Sequence, residues 1–170
     1  WIADRHHYPK FTCEQPPYNL LDRRAETEIF PMCRAYDLGV LGWSPLAQGM
    51  LARRYDDVRH LPPDSRGTRK TIFAERITAE GIETAAKLAD RAEACGWSPG
   101  QMAVAWVLHQ PIVTAALVGP RRVEHLQDLL PAADIRLSAE DLAFCDALVP
   151  PGTHVSDHFN TAVWGPQNPR

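Results

Sequence analysis

The sequence runs to 170 residues, 45% of them hydrophobic and 23% charged, with a formal net charge of −3. Such a composition is that of a soluble globular chain and excludes a disordered or fibrous one. It carries no basic excess for nucleic acid or an anionic membrane, and no apolar run nears the ~20 residues of a membrane span.

In chain order, Trp1 to Arg5 reads as the end of a helix. The chain opens here on Trp rather than Met, so a piece of a longer protein is expected. Residues Trp1 to Lys10 are polar and mixed, unlike a signal peptide, and His6-His7 reads as an exposed helix end. Phe11 to Gln15 is predicted to be a short strand, stopped by Pro16-Pro17. Ala25 to Tyr36 is predicted to be a helix, with Ile29, Phe30, Cys33 and Tyr36 near one face and Gly39 closing it. Val40 to Trp43 forms a second strand, ended by Ser44-Pro45. Ala52 to Lys70 is polar, basic and rich in Pro and Gly, the composition of a mobile loop.

A helix follows from Glu80 to Ala94, closed by Gly96. Ser98-Pro99-Gly100-Gln101 matches a capping box with Pro at the first helical position, and opens a helix carrying Met102, Val104, Ala105, Trp106 and Leu108. Thr114 to Val118 is a third strand. It is uncharged throughout, as a parallel strand buried on both faces would be. Gly119-Pro120 then turns the chain into a helix from about Arg122 to Leu130, and Ser138 caps a last helix through Leu148. A polar tail runs from Pro150 to Arg170. Within it, His154 and His158 with Asp157 have helical metal-ligand spacing, but no metal site is expected there. The four cysteines, Cys13, Cys33, Cys95 and Cys145, are far apart and form no C-x-x-C pair. They are expected to be free thiols in a reducing, cytoplasmic compartment.

Strands alternating with helices imply βαβ units and a parallel sheet. Three strands are few, and an open sheet of that size leaves apolar edges unpaired. A complete (β/α)8 barrel needs about 250 residues and eight strands. The expected architecture is therefore α/β, the C-terminal portion of a (β/α)8 TIM barrel of about three βα units. Residues 1–152 would form the partial barrel and 153–170 a tail.

Active sites of parallel barrels lie at the C-terminal ends of strands. At the third such end, a glycine permits close backbone approach, a helix start favours an anion, and Arg121 and Arg122 add charge with bidentate geometry. The residues alone read equally as a phosphate site or as a solvated arginine pair. At the second end, Trp43 is either a platform for a flat heterocycle or, as the more common case, a core tryptophan at a strand terminus.

Four collinear runs carry a resemblance. They are Glu-Gln-Pro-Pro-Tyr-Asn-Leu-Leu-Asp-Arg-Arg (14–24), Trp-Ser-Pro-Leu-Ala-Gln-Gly-x-Leu (43–51), Ala-x-Ala-Trp-Val-Leu (103–108) and Val-Gly-Pro-Arg-Arg-x-Glu-His-Leu (118–126). In this order and spacing the chain resembles the aldo-keto reductase superfamily from about Ile2 to Gly152. The resemblance implies a (β/α)8 barrel that binds NADP(H) without a Rossmann domain and reduces aldehydes or ketones by hydride transfer. It implies that Gln15 bonds the nicotinamide carboxamide and that Trp43 stacks on the nicotinamide ring. Ser44, Leu46, Gln48 and Gly49 would wrap the pyrophosphate, and Gly119, Arg121, His125 and Asp128 would surround the adenosine and its 2′-phosphate.

The chain departs from the family pattern at His125, where relatives usually have Gln, and at Leu129, where they have Asn. Ala52-Arg53-Arg54 replaces the usual Thr-Gly-Lys. The family's catalytic Asp, Tyr, Lys and His fall in the first half of the barrel, so no catalytic residue maps onto this chain, which by itself is expected to be inactive. A small carbonyl substrate is expected only in a complete barrel, reached through an N-terminal half or an oligomer. The alternatives are a non-catalytic nucleotide-binding module and a half-barrel that pairs with another chain.

Overall fold

The structure, a computed structural model, describes residues 1–68 and 72–159. Three strands, β1 (Cys13–Glu14), β2 (Gly39–Trp43) and β3 (Val113–Leu117), form one parallel sheet in the order β1-β2-β3. The helices are α1 (Ile2–His6), α2 (Ile29–Ala35), α3 (Ile72–Glu75), α4 (Ala79–Ala94), α5 (Pro99–His109), α6 (Val123–Leu129) and α7 (Ala139–Leu148), with short 3-10 turns between them. Among the described residues no helix is long and apolar enough to cross a membrane.

Local chemistry starts the long helices. The Thr78 hydroxyl accepts from the Gly81 N–H at 3.0 Å to cap α4. Ser98 and Gln101 form the reciprocal capping box of α5, with Pro99 at its first position, where a missing N–H costs nothing. Ser138 and Asp141 repeat the device on α7. The core gathers where α5 lies against the sheet. Trp106, 1% exposed, stacks on Tyr18 with centroids 5.2 Å apart, and Tyr18 meets Phe30 edge-on at 4.7 Å. The Arg23 guanidinium lies 5.1 Å from the Trp106 ring and is bound by Glu26, Asp146 and the Val149 carbonyl. These bonds compensate its burial.

Several elements differ from the sequence expectation. β1 is only two residues long, because Pro16 and Pro17 have no N–H to continue the ladder. Pairing persists around the prolines: the Trp43 N–H donates to Pro16 O, and the Tyr18 N–H to Trp43 O, each at 3.0 Å. The single helix expected over 25–36 is broken into a 3-10 turn, Arg24–Glu26, and α2. Pro31 causes the break, since its ring blocks the carbonyl four residues earlier, at Thr27.

β3 is not buried on both faces: Thr114 and Leu117 are exposed. Among the described residues, helices cover one side of the sheet. On β2, Val40 and Gly42 face them, and a Cβ on Gly42 would lie 3.6 Å from Val107. An uncharged sequence permits double burial but does not supply the second layer.

The described part of the expected loop, residues 52–68, is irregular yet anchored. Tyr55 is buried and Arg54 pairs with Asp64 at 2.7 Å. Residues 153–159 pack against the turn after β1. The Asp22 carboxylate accepts from the His158 and Phe159 N–H groups at 2.7 and 3.0 Å. His154 and His158 are not helical, so their spacing does not align them on one face. The rest of the tail lies outside the described residues.

Candidate functional site

The turn that leaves β2 is conformationally unusual. Ser44, Ala47 and Gln48 have φ of 61°, 48° and 62°, and Gly49 has 104°. A non-glycine residue in the left-handed region costs about 1 kcal/mol or more, so the turn needs external support. The Gln48 amide supplies part of it. Its Nε2 donates to Ser44 Oγ at 2.9 Å, and its Oε1 accepts from Arg66 at 3.1 Å. The buried Tyr55 hydroxyl donates to the Gln48 carbonyl at 3.0 Å. Gly49 suits its positive φ, and a Cβ there would also come within 3.3 Å of Arg54 Cδ. Clusters of this kind are found at ligand clamps.

The end of β3 faces this turn across a groove. Among the described residues, nothing lies within 4 Å of where a Cβ on Gly119 would stand, so its backbone is open to the groove. α6 is only seven residues long, and its dipole is small. The positive field comes instead from guanidinium groups. Arg121 donates to the Asp64 carbonyl at 2.8 Å, and Arg54 pairs with the Asp64 carboxylate. The Arg54 hydrogen bond, with Arg121 nearby, holds the Asp64 carboxyl below its usual range. Further along α6, the Ser98 hydroxyl donates to the Asp128 carboxylate at 3.0 Å, and Gln101 donates to the Asp128 carbonyl at 2.8 Å.

The groove has a volume of about 600 Å³. Nine of the ten residues singled out from sequence line it: Trp43, Ser44, Leu46, Gln48 and Gly49 on the β2 side, and Gly119, Arg121, His125 and Asp128 on the β3 side. Gln15 does not; it is exposed at the end of β1, beside the Pro17–Trp43 bridge. Arg122, the N-cap of α6, is exposed and lies outside the lining.

Sequence reasoning missed Arg54 and Arg66, which also line the groove. Their signal was the basic character of the 52–70 loop, read there as mobility rather than as a wall. Leu129, the departure from the family's asparagine, is a lining residue too. Trp43 is half-buried, with the Arg76 guanidinium 5.4 Å from its ring centroid.

The donor set fits an anionic dinucleotide: three guanidinium groups, an open glycine backbone, and apolar and aromatic surface at Trp43, Leu117 and Val118. Among the described residues, Arg54 Nε is buried with no hydrogen-bond partner, a donor beside the groove. The buried tyrosine of the core is tied up elsewhere. Tyr18 OH donates to Glu26 at 2.6 Å, and burial pushes its pKa far above the ordinary phenol range. Lys10 pairs with Asp4 and Lys87 with Glu83. Among the described residues no cluster of three His, Cys, Asp or Glu could hold a metal ion.

Comparison with known proteins places the chain. The model of the Aldo/keto reductase family matches residues 1–150. The "Uncharacterized oxidoreductase YrpG" of Bacillus subtilis is 35% identical over 158 residues, covering 92% of this chain and 46% of that protein. The "Putative aryl-alcohol dehydrogenase C977.14c" of Schizosaccharomyces pombe is 33% identical over 147 residues, 85% of this chain and 40% of that protein. The "Aldo-keto reductase AFTS1" of Alternaria alternata is 32% identical over 145 residues, 85% and 38% respectively. The chain thus spans less than half the length of these relatives.

Proposed function

Because this chain belongs to the aldo/keto reductase family, we propose that its groove is the NADP(H) site of an oxidoreductase that reduces aldehydes or ketones to alcohols. The three βα units are the C-terminal part of a (β/α)8 barrel. The observation that carries the reading is convergence: the β2 turn and the 52–68 loop that follows it meet the β3 end, far along the sequence, and line one groove with three arginines.

When bound, the cofactor supplies the hydride. Trp43 gives the nicotinamide a flat apolar surface and excludes water from one side of it. The 44–49 turn, already held in its left-handed conformation, needs no reorganisation to wrap a pyrophosphate. Arg121, with Arg54 and Arg66, meets the 2′-phosphate, and bidentate guanidinium geometry suits that group. The proton that accompanies the hydride requires an acid near its working pH. Tyr18, committed to Glu26 and with its pKa raised by burial, does not meet that requirement. The acid expected from the family resemblance belongs to the first half of the barrel, outside the residues that match here.

Calorimetric titration of the full-length protein with NADPH and NADH tests the reading. Arg121→Ala is expected to weaken NADPH about ten- to a hundredfold, as loss of a charge-assisted hydrogen bond implies, and to leave NADH within a few-fold. Equal losses for both cofactors would remove Arg121 from the phosphate site. Failure of the unsubstituted protein to bind either would reject the groove as a cofactor site.

A further inference from the structure

Trp43 contacts a buried cation as well as lining the groove. Arg76, which follows α3, is 4% exposed and does not line the groove, yet its guanidinium stands 5.4 Å from the Trp43 centroid. A cation over an indole face is attracted by the ring quadrupole, most strongly where both are desolvated. Trp43 lines the groove and also meets Arg76, which stands outside the lining.

Arg76 is itself held from far along the chain. The buried Ser156 hydroxyl donates to the Arg76 carbonyl. Ser156 belongs to the 153–159 segment, which is fastened to the turn after β1. Val155 N–H donates to the Leu21 carbonyl at 2.9 Å, the Asp22 carboxylate accepts two N–H groups, and Arg24 bridges Asp22 and Asp157. None of these contacts reaches the groove directly.

The geometry points to Arg76 as a positioning residue: clamped by Ser156, it sets the plane of the Trp43 indole and leaves one face for the nicotinamide. This rests on the groove being the dinucleotide site. The cation does not touch the cofactor; it removes the freedom of the indole to rotate away from the stacking position. The 153–159 segment thereby contributes to cofactor binding from outside the groove. Its role is specific to the nicotinamide end, because the adenosine end is built on Gly119, Arg121 and Asp128.

The test uses full-length protein labelled with 5-fluorotryptophan, with the Trp43 resonance assigned by Trp43→Phe. Arg76→Met is expected to shift the Trp43 19F resonance and leave those of Trp97 and Trp106 in place. It is expected to weaken NADPH, NADH and reduced nicotinamide mononucleotide by about tenfold, and to leave 2′,5′-ADP unchanged. Arg76→Lys, which keeps the cation, should restore most of the affinity. If Arg76→Met does not fold, Ser156→Ala removes the clamp and keeps the buried charge. It should move the Trp43 resonance in a smaller step. An unmoved Trp43 resonance in the folded variant, or an equal loss of 2′,5′-ADP binding, overturns the assignment. The fluorine signal needs no ligand, so a protein that binds no NADPH rejects the cofactor reading while the Arg76–Trp43 relation is still decided.

Discussion

Arg121 donates to the carbonyl of Asp64 at 2.8 Å, tying the end of β3 to the middle of the 52–68 loop across 57 positions of sequence. The Asp64 carboxylate meanwhile neutralises Arg54. One residue thus spans the groove wall and offsets part of the positive field that a phosphate would use.

Asp64→Asn keeps the carbonyl tie and removes the competing charge. NADPH binding is expected to tighten about two- to fivefold, in keeping with the modest strength of exposed ion pairs, and to become more sensitive to salt. Calorimetry at low and high ionic strength checks this. Weaker binding would mean that Asp64 serves the cofactor by orienting Arg54.

Arg23 is a buried cation of the core, bonded to Glu26, Asp146 and the Val149 carbonyl beneath Trp106. Arg23→Met leaves the half-buried Glu26 without its counter-ion. Breaking a buried pair on one side costs about 3–5 kcal/mol, so the urea midpoint should fall sharply. A change below about 1 kcal/mol would show that the network is dispensable.

His158 gives the fold a pH dependence with a definite sign. It is buried, and burial first, then the neighbouring Arg76, lowers its pKa from 6.5 to about 4; Asp22 and Asp157 oppose the shift and Arg24 adds to it. Between those values the unfolded chain binds a proton that the folded chain refuses, so stability falls as pH drops from about 6.5 to about 4. The full loss is on the order of 3 kcal/mol. Comparing unfolding of His158→Gln with the parent at pH 7 and 4.5 isolates this contribution from the carboxylates. Equal slopes in the two proteins would count against it.

Catalysis supplies the fourth expectation. The isolated 170-residue chain should oxidise NADPH with aldehydes no faster than background, since absence of a general acid alone costs ~10²–10⁴-fold. Turnover abolished by a substitution within the chain would relocate the acid to this half.

The helix starts were legible because capping is a matter of three or four adjacent residues. Ser98 with Gln101 and Ser138 with Asp141 appear in the fold as their spacing requires. Pro31 was equally local, and its break at Thr27 was readable from the same rule; the apolar period over 25–36 outweighed it. The groove was legible through motif order, which located nine lining residues. Arg54 and Arg66 escaped because a basic, Pro- and Gly-rich composition marks an irregular segment without saying what it folds against.

By itself the sequence determined the order of the strands and the longer helices, the caps and the family motifs, all of which depend on near neighbours or on collinearity. Only the tertiary structure decided that Gln15 stays outside the groove, that β3 has one open face, and that His158 docks on Asp22 from 136 residues away. It also set Arg76 against Trp43. These relations join segments that share no local period. They arise when burial of Tyr18, Phe30 and Trp106 brings distant backbone together, and each polar group excluded from water must then find whichever partner the packing has placed beside it.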